Sequence, residues 1–360
     1  MAAGPGKRLL VLSAGAPSSN NLIRGFRTGA PGIHVVGCHH DPFELKKSIA
    51  DRNYLVPELA APRFEQSLLR IVTEERIDLV VPDYEDDVLA VAGLSGRLPC
   101  RTYLPCRAAI DLCQDKYELA RFLRARAVPV PESFPVNEPA DIDAIFSALS
   151  GHELLWCRSR TGEGSLGALP VATPAQARAW IAYWEEMRGL PPRSFMLAEY
   201  LPGSDFMVQC VFKRGKPVIA KMFKRLSYHT LNAVPSGVSS TAAVSKMVYE
   251  PHVMQMCIEA MLALDPEASC VFFADVKENA SGTACITEIN PGRFSNMPTI
   301  QDLGAPDSMC ATYLRAAFDE ALPEKDFAGY AQDCYVMRML DAAPVVLNVD
   351  DLFKGFEDAR

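Results

Sequence analysis

Residues 270–294 read CVFFADVKENASGTACITEINPGRF, and this stretch decides the fold. Two apolar runs flank a polar segment holding the turn pair Ser281-Gly282, so the stretch predicts a β-hairpin. With the loop set at 280–283, Asp275 lies directly opposite Glu288. Side chains alternate along a strand, so Glu288 and Asn290 share a face. An unpaired buried carboxylate there would be costly. A lone Asp or Glu on a sheet usually pairs with Lys or Arg in solvent, but Phe272, Phe273, Ile286 and Ile289 argue against a wet face. Three oxygen donors on adjacent strands suit Mg²⁺, which takes one or two carboxylates and completes its shell with water and phosphate oxygens.

The whole chain sets outer bounds. At 360 residues, 49% hydrophobic and 22% charged, it is globular and long enough for two or three domains. A net charge of −8 argues against a general nucleic-acid binder, while leaving room for a local cationic cluster around a small anion. No apolar run reaches membrane-spanning length, and the opening RLLVLSAG reads as a first strand, not a targeting signal. The 11 cysteines are scattered without a CxxC pair, which fits reduced thiols in the cytoplasm and no disulfide frame or zinc site.

Residues 1–112 alternate short strands with helices: RLLVLSAG, SSNNLIRGFR with a Ser cap, IHVVGC, FELKKSIA, IDLVVP and DDVLAVAG. That order implies a parallel sheet with helices on its faces. DKYELARFL follows, with Asp115 as N-cap and Glu118 in capping-box position. Residues 113–198 form a small segment of strands and helices around a glycine loop, and residues 199–360 are β-rich with helices near 250–264 and 306–321.

The loop CRSRTGEGSLGALP contains Gly162, Gly164 and Gly167 in GxGxxG spacing. A dinucleotide fingerprint must open a helix, whose N-terminus holds the pyrophosphate. Here the context is strand, loop, strand. Such a hairpin either folds over phosphates as a lid, its backbone N–H groups donating, or is a mobile surface loop. Arg158 and Arg160 just before it add positive charge.

The order of these segments resembles the ATP-grasp superfamily of carboxylate–amine ligases, in the branch near carbamoyl-phosphate synthetase and biotin carboxylase. The resemblance runs over most of the chain: an α/β domain, DKYELARFL, the glycine loop, LAEYLPGSD, the Asp275 strand and EINPGRF. It implies an α/β fold (α+β in the ATP-binding part), with a Rossmann-like pre-ATP-grasp domain before a two-lobed ATP-grasp fold. It also implies roles. Lys116 and Arg158 resemble the cations on the nucleotide phosphates. Gly162, Gly164, Ser165 and Gly167 lie in the lid. Glu199, Tyr200 and Leu201 resemble the hinge whose backbone reads adenine, with Ala198 where an acidic residue is common. Asp205 matches the residue that hydrogen-bonds the ribose. Asp275, Glu288 and Asn290 match the metal ligands. Arg293 resembles the arginine that steadies the reacting group, although Gly292 separates it from Pro291 where Pro-Arg is commoner.

The implied reaction is ATP-dependent amide formation: a carboxylate is activated as an acylphosphate and attacked by an amine, with ATP and two Mg²⁺ (Mn²⁺ as the alternative metal). Small carboxylates and amines are the expected partners, with no nucleic acid and no membrane, and the last residues offer a homodimer contact. Lys221, Lys224 and Arg225 are candidates to reach the triphosphate or a substrate carboxylate, with Lys221 placed among the catalytic residues. The PSGVSS loop, including Ser236 and Gly237, is placed near the acceptor pocket. CHHDP at 38–42 lacks partners at metal-ligand spacing, and PDYEDD serves to cap the helix that follows or faces substrate. His229 stands alone as a possible base. Two other readings remain: an NAD(P)-dependent oxidoreductase using the GxGxxG, and a nucleotide-binding regulatory module without turnover.

Overall fold

The computed structural model describes residues 6–162, 164–229, 238–304, 308–324, 326–328, 334–338 and 354–360. Its first sheet is built from β1 (Arg8–Val11), β2 (His34–His39), β3 (Arg52–Leu55), β4 (Leu79–Val81) and β5 (Arg101–Thr102). All pair in parallel, in the order β3-β2-β1-β4-β5. β1 is buried on both faces, as its apolar run requires, and helices cover the sheet. The helix Pro17–Gly29 starts two residues earlier than a cap at Ser18 would allow, with Ala16 in the cap position. Pro17 takes its first turn, where a missing N–H costs nothing, and Ser18 lies inside that turn.

The second sheet comprises β6 (Ser133–Val136), β7 (Leu155–Ser159), β8 (Leu169–Val171) and β9 (Phe195–Glu199), antiparallel in the order β6-β9-β7-β8. Val136, Leu155, Cys157, Phe195 and Leu197 bury one face against Ile142, Ile145 and Ile181 of two helices. Between the first two sheets, the helix Lys116–Arg124 is capped by Asp115, which accepts from Tyr117 N and Glu118 N at 2.9 and 3.2 Å. Glu118 turns to Arg121 at 2.8 Å.

The third sheet is antiparallel: β10 (Asp205–Lys213), β11 (Lys216–Tyr228), β12 (Ala242–Val248), β13 (Cys270–Glu278), β14 (Ala284–Pro291) and β15 (Tyr335–Met337), in the order β14-β13-β10-β11-β12-β15. One face, with Val208, Cys210, Phe212, Met222 and Phe272, packs on the helix Pro251–Leu264. The opposite face changes along its length. At one end Val211, Ile219 and Val271 are sealed by Phe26, Met309 and Tyr313. A row of Gln209, Lys221 and Asn290 follows, all buried. Beyond it the face carries Asp275, Glu288 and Arg225 and opens into a cleft.

Two expectations need correction. The hairpin loop does not pair Asn279 with Ala284; Glu278 does, one residue out of step. A bulge at Thr287 restores the register, so that Asp275 still faces Glu288. The chain's end also leaves the segment 199–360: β16 (Glu357–Asp358) pairs in parallel with β3 and extends the first sheet, with Arg52 and Glu357 2.9 Å apart. Pairing with a distant edge strand leaves no local signal in so short a segment.

Candidate active site

The second and third sheets, with the first helix and the loop after β4 of the first domain, border a cleft of about 690 Å³. From the third sheet it receives Asp205, Arg225, Asp275, Lys277, Glu288 and Asn290; from the second, Trp156, Arg158, Met196 and the segment Glu199, Tyr200 and Leu201. Lys116 enters from the first turn of its helix, and Ser18, Asp83 and Tyr84 come from the first domain.

At the centre, Asp275 and Glu288 face each other across the β13–β14 ladder, and Asn290 follows on the same face. Two carboxylates directly opposite repel unless cations intervene. Each donor here has one. Arg158 lies 2.9 Å from Glu288 and Lys116 3.9 Å from it, Arg225 bonds Asp275, and Arg293 donates to Asn290 at 2.6 Å. The electrostatics split the pair. Burial pushes Glu288 up, but Lys116, Arg158 and Arg293 together outweigh it and hold the carboxyl below its usual range. Burial also raises Asp275 and prevails over the opposing field of Arg225. Lys116, only 4% exposed, is pulled down by burial and supported by Glu288.

The donor set fits Mg²⁺. All three groups offer oxygen, a hard cation's ligand, and they are too few to close a shell. They also sit among cations suited to phosphate oxygens. Among the described residues no cluster of three or more His, Cys, Asp or Glu forms a metal cage of its own.

The glycine loop is compact. Gly162, Gly164, Ser165 and Gly167 all take positive φ, and Lys116 Nζ donates to the Gly162 carbonyl at 2.5 Å. At Gly167 a Cβ would stand 2.7 Å from the Phe195 ring, so only glycine fits. Gly164 and Ser165 line the cleft; Gly162 and Gly167 support the loop behind it. The loop joins β7 to β8, and no helix opens from it. Arg160 turns away to Asp115 at 2.6 Å.

Gly292 answers the question of register. Its φ is +74°, and a Cβ would lie 2.7 Å from Leu104. This left-handed step turns Arg293 back toward Asn290 and over the Phe273 ring, 5.0 Å from its centroid, so Arg293 lines the cleft.

Lys221 does not. It lies on the cleft-side face of β11, but the segment Asn296–Gln301 and the turn Asp302–Gly304 follow over it. Its ammonium is 2.9 Å from Asp302 and bonds Gln301, with both charges fully buried. Asp302 also accepts from Met309 N and Cys310 N at 2.9 and 2.7 Å, so the pair anchors the helix Met309–Ala317. Lys221 is therefore a structural cation, and Arg225, four residues on, is the one at the cleft. Lys224 points to the other face and lies over Phe206, 5.7 Å from its ring centroid.

Other candidates resolve as follows. His39 Nδ1 accepts from Asp41 N at 2.8 Å, its ring stacks on His40, and burial lowers its pKa to about 4. In PDYEDD, Asp87 accepts from Asp83 N and Tyr84 N at 3.2 and 3.0 Å, while Asp83 and Tyr84 face the cleft. His229 Nε2 lies 2.6 Å from the Arg338 carbonyl and outside the cleft lining. Ser236 and Gly237 lie outside the described residues; Ser239, Ser240 and Thr241 line the cleft. Sequence reasoning passed over Lys277, which strand alternation from Asp275 would have found. Trp156, Ser18 and Asn296 carried no signal of their own.

No family model matches the sequence, and no curated protein matches it. Solved structures do match in fold. The biotin carboxylase domain of 2-oxoglutarate carboxylase from Hydrogenobacter thermophilus, solved with MgADP, ADP and bicarbonate, superposes at a TM-score of 0.71 with 12% identity, over 92% of this chain and 74% of that one. Carboxyaminoimidazole ribonucleotide synthase from Aspergillus clavatus, complexed with ATP, gives 0.63 at 15% identity over 88% and 78%. L-amino acid ligase from Bacillus licheniformis gives 0.62 at 11% over 88% and 75%. The fold expected from the motif order, a Rossmann-like domain followed by an ATP-grasp fold, is the fold these proteins share with this chain.

Proposed function

We propose that the chain is an ATP-dependent ligase that activates a small carboxylate as an acylphosphate and passes it to an amine, releasing ADP and phosphate. One observation carries this reading. Two carboxylates and an amide oxygen meet four cations, Lys116, Arg158, Arg225 and Arg293, beneath a glycine loop in a cleft whose fold is shared with ATP- and ADP-bound proteins.

In this reading the backbone of Glu199 to Leu201 meets adenine, and Trp156, Met196 and Tyr200 wall the base. Lys116 and Arg158 bind phosphate oxygens, and Gly164 and Ser165 close over them. Asp275, Glu288 and Asn290 would hold two Mg²⁺, with Mn²⁺ as a substitute; when bound, these neutralise phosphate charge and orient the γ-phosphoryl group. Arg293 and Arg225 then face the acceptor carboxylate and the phosphoryl oxygens. No protein nucleophile is required. Closure of the loop keeps water from the acylphosphate. A dinucleotide reading is disfavoured because the loop between β7 and β8 offers the pyrophosphate no helix N-terminus.

The cysteines are free, which supports a reducing compartment and hence the cytoplasm. Among the described residues no helix is long and apolar enough to cross a membrane.

The test is a phosphate-release screen with MgATP over pairs of amino acids and related acids and amines. The reading expects release that needs both an acid and an amine and yields their amide. Bound NAD(P)H with no ADP binding would replace this reading with the oxidoreductase one.

A further inference from the structure

We propose that Asp205 is a positioning residue for Arg225, acting together with Tyr228, and does not read the nucleotide's ribose. This inference rests on the cleft being a nucleotide site.

The register of β10 and β11 sets Asp205 directly across from Arg225. One guanidinium nitrogen lies 3.0 Å from Asp205 Oδ1, and the other bonds Asp275 Oδ1 on β13. The side chain thus crosses β10 and ties β11 to β13, with 12% of its surface exposed. The second Asp205 oxygen accepts from the Tyr228 hydroxyl.

Tyr228 is three residues beyond Arg225, and simple alternation would send it to the opposite face. β11 instead slips against β12 twice, between Arg225 and Ser227 and again between Ser227 and Tyr228. Bulges beside functional sites redirect side chains in this way. Here the redirected hydroxyl meets Asp205. The carboxylate is then held from both sides, by a guanidinium and a phenol, which makes it a fixed counter-charge.

That arrangement has a consequence for Arg225. Asp275 is one of the proposed metal ligands, so its carboxylate is shared between Arg225 and a bound cation. Asp205 gives the guanidinium a second anchor, which keeps it on the cleft wall when Asp275 is engaged elsewhere. Without Asp205, Arg225 would depend on Asp275 alone and compete with the cation for it.

The experiment is calorimetric titration of ADP, 2′-deoxy-ADP and 3′-deoxy-ADP with Mg²⁺ into the wild type, Asp205→Asn and Tyr228→Phe. The inference expects Asp205→Asn to weaken all three nucleotides together, by roughly threefold to tenfold. The ratio of Kd between ADP and either deoxy analogue should stay within about twofold of wild type in both variants. Tyr228→Phe should act in the same direction and less, and it supplies the answer if Asp205→Asn fails to fold. Collapse of the ADP-to-deoxy ratio toward one in either variant would overturn the inference in favour of a ribose contact. A second readout is Mg²⁺-dependent ADP release, in which Asp205→Asn should add little loss on an Arg225→Ala background. Fully multiplying losses would also overturn it. Wild type that binds no ADP would remove the nucleotide reading and this inference with it, whereas a lost ratio removes the inference alone.

Discussion

Lys221 and Arg225 stand four residues apart on the same face of β11, and their surroundings are opposite. Lys221 is sealed with Asp302, both fully buried, under the segment 296–304. Arg225 bridges Asp205 and Asp275 at the edge of the cleft. Strand alternation puts these two on one face and Lys224 on the other, although the sequence offered all three as candidates for the cleft. It carries no information about what covers that face, and the cover is what separates a structural cation from a functional one.

The comparison can be broken first at Lys221. Lys221→Ala leaves the Asp302 carboxylate buried without its main counter-charge, and we expect a loss of about 3–5 kcal/mol in chemical denaturation. The nucleotide KM of the molecules that remain folded should not change. A variant of undiminished stability with lost turnover would return Lys221 to the cleft. Arg158→Ala removes a charged bond to Glu288 and, in the proposed site, to phosphate; the KM for ATP should rise about tenfold to a hundredfold. An unchanged KM takes Arg158 out of the phosphate site. Lys224→Ala is the smallest effect. Its side chain lies on the opposite face over Phe206, so stability should move by about 0.5–1 kcal/mol and ADP release not at all.

The sequence was informative where contacts are local or repeat with strand period. The hairpin 270–294 announced itself through Ser281-Gly282, and Glu288 and Asn290 shared a face as their spacing required. The Asp275–Glu288 pairing came out as expected for a reason the sequence hides: a loop one residue out of step is offset by a bulge at Thr287, whose hydroxyl donates to the Asp275 carbonyl at 3.1 Å. Long-range partners were not legible. Asp302 lies 81 residues from Lys221, and β16 closes on β3 from the far end of the chain. Neither the Arg225–Asp205 pairing nor the turn of Arg293 onto Asn290 follows from local pattern. The first needs the register of two strands, and the second the left-handed backbone at Gly292.

The central claim is that Asp275, Glu288 and Asn290 form a metal site working on ATP. Mg²⁺-dependent ADP formation in Glu288→Gln and Asn290→Ala tests it most directly, with circular dichroism confirming the fold. Each variant should lose at least about 10²–10³-fold in rate while keeping its structure. Undiminished turnover in both would contradict the assignment.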